Sequence, residues 1–408
     1  MSESVVKIKV FGVGGGGNNA VNRMVALRAA EQKLKEEKIA SGEWEKSEDD
    51  EELNEDVTYV AINTDNPVLK KSKADETILI GDTTTEGRGA GANPEIGKMA
   101  AEESIEKIKK ALEGVDMLYI TAGMGGGTGT GASPVIARVA KEMGILTVAV
   151  VTRPFAFEKG QRAAVAEDGI ARLRPQVDAL IVVSNEKLKM IERNITMKNA
   201  FAVADNVLVG SVKSICNVIY KTAVVNTDFA DVETILRDAG DAHIGIGSAT
   251  GENKWEIAAK QAMESPLLDT SIAGATGIII NITADEDIPL DEVDKLSNMI
   301  TNQVPDAKVI WGIDLDPTVK DYVQVVVIAT KITKDGLKKI DVSEENPVDE
   351  EQNVDDEETV KEADETPEEA PKVEEHPQKT ESEDNWMTDE EFDWIRTVAN
   401  HNDKKNQK

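Results

Sequence analysis

The sequence feature that most constrains the fold is a glycine-rich loop placed between a strand-like apolar run and a helix-like run. It occurs three times, at residues 12–19, 87–93 and 123–131. Glycine lets a backbone approach another group closely, and a helix N-terminus offers N–H donors and a partial positive charge. Parallel strands bring such loops to one edge of a sheet. The three loops therefore predict a site where a triphosphate is contacted from several sides.

The same loops predict where three helices begin. The first helix is expected at Ala20, after the glycines and two asparagines. The second is expected at Pro134 and the third at Pro94, continuing to residue 113, because proline is favoured at the first helical position. Thr128 and Thr130 are expected to offer hydroxyl groups to phosphate oxygens. No Gly-Lys-Ser/Thr follows these loops, which excludes a P-loop nucleotide hydrolase.

Strand-like and helix-like runs alternate through the first half of the chain. This alternation predicts an α/β fold with a doubly wound parallel sheet that binds its ligand at the carboxyl ends of the strands. A long helix with one apolar stripe is expected over about 197–220. A smaller α/β domain is expected after it. The predicted strands are 5–11, 58–63, 77–80, 117–121, 146–152, 179–184, 277–283, 307–312 and 322–328.

The charge is unevenly distributed along the 408 residues, whose net charge is −31. Segment 341–385 has 20 acidic and 3 basic residues, and segment 31–56 has 12 acidic and 4 basic. Segment 341–385 is too polar to form a core and is predicted to be disordered. In the other segment, residues 31–39 are expected to extend the first helix.

The composition also excludes several classes of protein. The acidic charge argues against nucleic-acid binding, which requires basic surfaces. The single cysteine excludes a disulfide framework and a cysteine-based zinc site, and the three scattered histidines argue against a histidine metal cluster. The longest uncharged run, about 271–284, is too short to cross a membrane. With no signal-like N-terminus, we expect a soluble, cytoplasmic protein without direct membrane insertion.

Six motifs resemble the tubulin/FtsZ family of GTPases. GGGTGTG at 125–131 is that family's signature. Five further motifs resemble the bacterial FtsZ branch of that family. They are GVGGGGNNAVNRM at 12–24, NTD at 63–65, GAGANPE at 89–95, TRPFAFE at 152–158 and NTDFADV at 226–232. The motifs occur in the family's order. The resemblance implies GTP hydrolysis to GDP, head-to-tail polymerisation into filaments, and a role at the division site (midcell) in bacterial cell division.

The resemblance also divides the chain into regions. These are a GTP-binding domain (1–195) with the acidic insertion 31–56, a central helix and connection (196–225), a C-terminal domain (226–332), a disordered acidic linker (333–385) and a C-terminal peptide (386–408). Thr388 and Glu391 have the spacing of a capping box, which predicts a short helix in that peptide. Residues 386–400 are expected to bind a membrane tether or another division protein.

The three loops supply the expected GTP and GDP contacts. Magnesium is expected to be held mainly through the phosphates, because no carboxylate cage is evident and this ion keeps several of its waters. The expected phosphate-binding residues are Gly15, Gly16, Gly17, Asn18, Asn19, Gly89, Ala90, Gly91, Gly125, Gly126, Gly127, Thr128, Gly129 and Thr130.

Five further residues are expected around the base and ribose. Asp205 matches the family's guanine-binding carboxylate, which accepts the two adjacent donors of guanine. Phe201, one turn earlier, is expected against the base, with Asn185 in support. Glu158 and Arg162 are four residues apart, so they are expected to share a helix face. The resemblance implies that they bind the ribose and the nucleotide's polar edge. The alternatives are that Asp205 is a solvated helix residue, that Phe201 belongs to the core, and that Glu158 and Arg162 form a surface ion pair.

The expected catalytic residues lie beyond the central helix. By resemblance, Asp228 and Asp231 polarise the attacking water and Asn226 supports them. A helix of about 24 residues spans roughly 36 Å, so these residues are expected to meet the nucleotide of the next subunit. The alternative is that these acids cap a helix over 232–236, and Asp231 is able to do both.

Two other functions remain open at this point. A nicotinamide-dependent oxidoreductase would use the first loop with an acidic residue about 20 positions later. The candidate, Asp65, is 53 positions after Gly12. The third possibility is a structural paralogue that binds GTP without turnover.

Overall fold

The computed structural model describes residues 6–41, 57–158, 160–187, 197–220, 228–264, 272–285, 288–315 and 321–331. The linker 333–385 and the peptide 386–408 lie outside these residues, as do Asn226 and most of the acidic insertion.

The first part of the described chain forms a seven-stranded sheet in the order β3-β2-β1-β4-β5-β6-β7. All of its neighbouring strands are parallel. The central strands are almost entirely buried, as expected for a parallel sheet covered on both faces. The strands are β1 (Ile8–Val13), β2 (Val57–Asn63), β3 (Glu76–Leu79), β4 (Met117–Gly123), β5 (Leu146–Arg153), β6 (Ala179–Ser184) and β7 (Gly240–Asp241).

Helices connect and cover these strands. The long helix α7 has the predicted bounds. The helices are α1 (Gly14–Ser41), α2 (Asn66–Leu69), α3 (Pro94–Glu103), α4 (Ile105–Ala111), α5 (Thr128–Glu142), α6 (Gly160–Leu173) and α7 (Met197–Tyr220). The expectation that residues 31–39 extend the first helix is confirmed, because α1 continues to Ser41.

The second sheet has four strands in the order β10-β9-β11-β8. Strands β9 and β10 are parallel, and β11 is antiparallel to both β8 and β9. This sheet has its own apolar core. The elements are α8 (Phe229–Leu236), β8 (His243–Thr250), α9 (Lys254–Met263), β9 (Gly277–Ala284), α10 (Leu290–Thr301), β10 (Lys308–Leu315) and β11 (Tyr322–Thr330).

Two of the predicted helix starts are wrong. Helix α1 begins at Gly14 rather than Ala20, and α5 begins at Thr128, which leaves Pro134 inside the helix. Glycine and threonine are poor helix formers, so the sequence favoured later starts. Packing overrides that preference, because a Cβ added to Gly131 would lie 1.9 Å from the Pro94 carbonyl oxygen of α3.

The third predicted helix begins correctly at Pro94 but is divided in two. Ser104 separates α3 from α4. Its hydroxyl oxygen accepts a 2.9 Å hydrogen bond from the backbone N–H of Gly81. This contact with the segment after β3 fixes Ser104 outside helical geometry, which the local sequence does not reveal.

Candidate functional site

Two helix N-termini meet at the carboxyl edge of the seven-stranded sheet. Strands β1 and β4 are neighbours, with Val13 beside Ala122, and α1 and α5 follow them. Gly14 turns the chain directly from strand to helix with a φ of +71°. A Cβ on this residue would lie 2.7 Å from the backbone nitrogen of Gly129. The free N–H groups and the partial positive charges of both helix N-termini therefore point to the same part of this edge, an arrangement that suits a polyanion.

The third loop packs against the second. A Cβ on Gly127 would lie 2.9 Å from both the Ala90 Cβ and the Asn93 nitrogen. Asn93 caps α3 by accepting a 3.0 Å hydrogen bond from Glu95 N–H. The three glycine-rich loops thus form one assembly, as the sequence predicted.

Each loop leaves one glycine facing open space. A Cβ added to Gly15, Gly91 or Gly126 would have no heavy atom outside its immediate chain neighbours within 4 Å. By contrast, a Cβ on Gly16 would lie 3.2 Å from Gly123, and one on Gly17 would lie 2.3 Å from the Thr121 oxygen. The accessible backbone of the open glycines fits a phosphate chain, and the remaining glycines allow the loops to pack.

Several polar side chains of the loops face the protein. Asn18 is buried and donates through Nδ2 to the Gly12 oxygen at 2.7 Å and to the Ile62 oxygen at 3.3 Å. Its Oδ1 accepts from Asn63 Nδ2 at 2.6 Å. These bonds join the first loop to the end of β2. Asn18, like Gly17, would therefore contact a phosphate through its own backbone. The side chain of Asn19 is exposed.

The hydroxyl groups of the two threonines have partners within the protein. Thr130 is fully buried, and its hydroxyl accepts a 2.9 Å hydrogen bond from Gly125 N–H. The hydroxyl of Thr128 lies 2.7 Å from that of Thr64. Both hydroxyls contact other protein groups in this structure, and their contact with phosphate stays a prediction. Their backbone N–H groups remain at the start of α5.

Asp65 lies two residues after the end of β2 and belongs to the local structure there. Its carboxylate caps α2 by accepting a 3.1 Å hydrogen bond from Val68 N–H. Its backbone pairs with Arg88 in the third loop. Asp65 therefore supports the loop assembly.

The base end of the site combines a desolvated carboxylate with an unpaired acceptor. Burial raises the pKa of Asp205 to about 6, and the positive charge of Arg23 on α1 opposes this shift. Asn185 is 5% exposed, and its Oδ1 has no hydrogen-bond partner among the described residues. It begins a short 3₁₀ turn that contacts α7. The buried carboxylate of Asp205 and the unpaired Oδ1 of Asn185 are acceptors that fit a base with adjacent N–H donors, such as guanine.

Arg23 is a further candidate site residue, because its charge acts on Asp205. Arg23 belongs to the first-loop motif at 12–24, which could have drawn attention to it. Its position near Asp205 follows only from the fold, in which α1 contacts α7. Phe201 lies one helical turn before Asp205 on α7, and its side chain is outside the described ones.

Glu158 and Arg162 form the expected pair in a different local structure. They do not share one helix, because Glu158 ends a 3₁₀ turn and Arg162 belongs to α6. Their side chains lie 2.8 Å apart, with Arg162 half exposed and Glu158 only 12% exposed. Arg162 lies over the second loop, since a Cβ on Gly125 would be 2.8 Å from its carbonyl oxygen. The pair therefore borders the phosphate loops.

The expected catalytic acids belong to the opposite edge of the sheet. Tyr220, the last residue of α7, donates a 2.8 Å hydrogen bond to the Val6 oxygen before β1. Arg237, just after α8, lies 3.4 Å from Asp178, which precedes β6. Both contacts are at the amino edge. Helix α7 thus runs from the carboxyl edge of the sheet, where the glycine-rich loops lie, to the amino edge, beside which α8 lies.

The acids are adjacent at the start of α8. Asp228 is the N-cap and accepts a 2.8 Å hydrogen bond from Asp231 N–H. The alternative that these acids cap a helix is confirmed for Asp228, whereas Asp231 is the third residue of the helix rather than its cap. Lys308 Nζ lies 3.4 Å from Asp231 Oδ1. No group of three or more potential metal-ligating side chains occurs in the described part of the chain.

The comparisons with known proteins match both sheets. Residues 7–193 match the GTPase domain of the tubulin/FtsZ family, and residues 240–333 match the C-terminal domain of the FtsZ family. The cell division protein FtsZ of Buchnera aphidicola from Acyrthosiphon pisum is 47% identical over 340 residues, 83% of this chain and 82% of that protein. The chain belongs to the FtsZ family. It is accordingly a GTPase.

Two solved structures share this fold. An FtsZ dimer from M. jannaschii superposes with a TM-score of 0.70 and 42% identity, covering 81% of this chain and 89% of that one. A CetZ2 protofilament with bound GTPγS from Haloferax volcanii has a TM-score of 0.64, covering 79% and 92%. At 21% identity, CetZ2 supports the fold alone.

Proposed function

We propose that this FtsZ-family GTPase acts in bacterial cell division by polymerising head to tail and hydrolysing GTP where two subunits meet. The name of the Buchnera relative supports the division role, and the dimer formed by the M. jannaschii relative supports self-association. Asp228 and Asp231, with Asn226, act on the GTP of the adjacent subunit.

The observation that carries this proposal is the separation of the two halves of the site. The phosphate loops are at the carboxyl edge of the sheet, and Tyr220 at the end of α7 is bonded to the amino edge. Helix α7 has 24 residues, which corresponds to about 36 Å. Asp228 and Asp231 belong to the far end and cannot act on their own subunit's GTP. Head-to-tail stacking brings the amino edge of one subunit to the carboxyl edge of the next.

Each half supplies a different part of the chemistry. The loop N–H groups and helix ends bind the phosphates and stabilise the charge that develops on the γ-phosphate. Asp205 accepts the two donors of guanine, whereas adenine would present an acceptor there. Asp228 and Asp231 orient the water that attacks phosphorus. Magnesium, held mainly through phosphate oxygens and water, would neutralise the transferring group.

The test compares two exposed aspartates on the same side of the molecule. Asp231→Asn should lower GTP turnover by about 100-fold or more, because a positioned base contributes about 10²–10⁴-fold. Its affinity for GTP as a monomer should stay within twofold of wild type. Asp238→Asn is the control, since the Asp238 side chain is exposed and lies 3.6 Å from Lys141 in a surface ion pair. Phosphate release is measured against protein concentration.

A mixing experiment tests whether the acids act in trans. Asp205→Ala impairs the GTP site but leaves Asp231 intact, so adding it to Asp231→Asn protein should restore part of the turnover. A large loss of GTP affinity in monomeric Asp231→Asn, or turnover that is independent of concentration, would contradict the proposal.

The C-terminal peptide is proposed to bind a membrane tether at the division site. Residues 386–400 lie outside the described residues, and the proposal rests on the capping box and apolar positions of the sequence. Among the described helices, none has the length and apolar character of a membrane span. Removing 386–408 should leave GTP turnover and polymerisation intact but abolish membrane recruitment in cells. Recruitment of the truncated chain without a full-length copy present would refute this role.

A further inference from the structure

A lysine stands beside the proposed catalytic carboxylate. Lys308 is the first residue of β10, and its Nζ lies 3.4 Å from Asp231 Oδ1. The two side chains are 54% and 46% exposed. The backbone of Lys308 is fixed, since its N–H donates to the Thr276 oxygen at 2.9 Å and the residue pairs with Gly277 of β9. An ammonium group therefore shares the exposed surface that carries Asp228 and Asp231.

We infer that Lys308 contacts the γ-phosphate of GTP bound by the next subunit and acts as a catalytic cation supplied in trans. This inference rests on the proposed function, in which Asp231 faces that nucleotide. A water held by Asp231 at about 2.8 Å attacks phosphorus from about 3–3.5 Å. The γ-phosphate oxygens are then within reach of an ammonium that is 3.4 Å from Asp231.

The charges at the interface favour such a contact. Two carboxylates approaching a triphosphate repel it, and like charges placed together across an interface are unfavourable. An exposed ion pair holds its partners weakly. Lys308 can therefore exchange its contact with Asp231 for one with a phosphate oxygen. In the transition state, charge on the γ-phosphate oxygens is stabilised by cations, as arginine fingers do in other GTPases.

The test uses the full chain with Lys308→Met, Lys308→Arg and the control Lys295→Met. Lys295 also has an exposed ion pair, 2.6 Å from Glu292, in the same C-terminal domain. Lys308→Met should lower turnover per polymerised subunit by about 10- to 100-fold, below the roughly 10³–10⁵-fold of a buried arginine finger. Lys308→Arg should retain most of the turnover, and Lys295→Met all of it. Unchanged turnover in Lys308→Met would overturn the inference.

A second measurement separates phosphate contact from positioning of Asp231. Assembly with a non-hydrolysable GTP analogue is measured in the Asp231→Asn background, where Lys308 has no carboxylate to position. Lys308→Met should still raise the critical concentration at least threefold in this background. An effect that disappears there would overturn the inference and assign Lys308 to positioning alone. If Asp231→Asn itself leaves turnover intact, the proposed function fails instead.

Discussion

Replacing Asp205 with asparagine should stabilise the nucleotide-free protein while it abolishes guanine recognition. Burial raises the pKa of Asp205 from 3.8 to about 6, so ionising it is harder in the folded state than in the unfolded chain. This difference is equivalent to roughly 3 kcal/mol at neutral pH, since each pH unit corresponds to about 1.36 kcal/mol. Asparagine has the same shape and does not ionise. The free energy of unfolding should therefore rise by up to about 3 kcal/mol.

The pH dependence of this gain has a defined sign. The folded protein binds the Asp205 proton more tightly than the unfolded chain does, so the destabilisation is fully present above pH 6. It declines as the pH falls from about 6 to 3.8. The difference between Asp205→Asn and wild type should thus be largest near pH 7.5 and about half as large at pH 5.

Urea unfolding of the nucleotide-free proteins at these two pH values measures the effect. Asp178→Asn is the matched control, because Asp178 is equally an aspartate but accepts a 2.8 Å hydrogen bond from Thr147 N–H and pairs with Arg237. That variant should be destabilised by about 1–3 kcal/mol. Equal stability of Asp205→Asn and wild type at pH 7.5 would refute the reasoning.

Binding of GTP should change in the opposite direction. The asparagine amide offers a donor where guanine needs an acceptor, so affinity should fall by about 100-fold or more. In wild type, affinity should decline below pH 6, because the protonated carboxyl no longer accepts both donors. Equilibrium titration with labelled GTP checks both statements.

Two further predictions concern packing and charge. Gly131→Ala should prevent or greatly weaken GTP binding and lower the melting temperature, because the added Cβ would lie 1.9 Å from the Pro94 oxygen. Gly126→Ala is the control and should preserve the melting temperature, because its added Cβ would face open space. Replacing 31–56 with a short Gly/Ser loop should leave GTP affinity unchanged. It should also increase filament bundling in light scattering, more at low salt, since the screening length is about 10 Å at 0.1 M and 30 Å at 0.01 M. Bundling equal to wild type would contradict that role for the acidic insertion.

The sequence alone predicted strands β1–β6 and β9–β11, the bounds of α7 and the three glycine-rich loops, whereas it did not predict β7 or β8. These features depend on local patterns, namely the apolar periodicity, the glycines and the motifs, which act over a few residues. The local pattern was insufficient at the starts of α1 and α5. There, contacts between Gly14 and Gly129 and between Gly131 and Pro94 outweigh the intrinsic helix preference.

Only the tertiary structure decided which polar groups are available to a ligand. Thr130 faces inward because Gly125 donates to it, and Asp205 is desolvated because α7 packs against α1. Lys308 and Asp231 are 77 residues apart in sequence and meet because β10 begins beside α8. Such pairs depend on the packing of distant elements, for which one sequence contains no local signal.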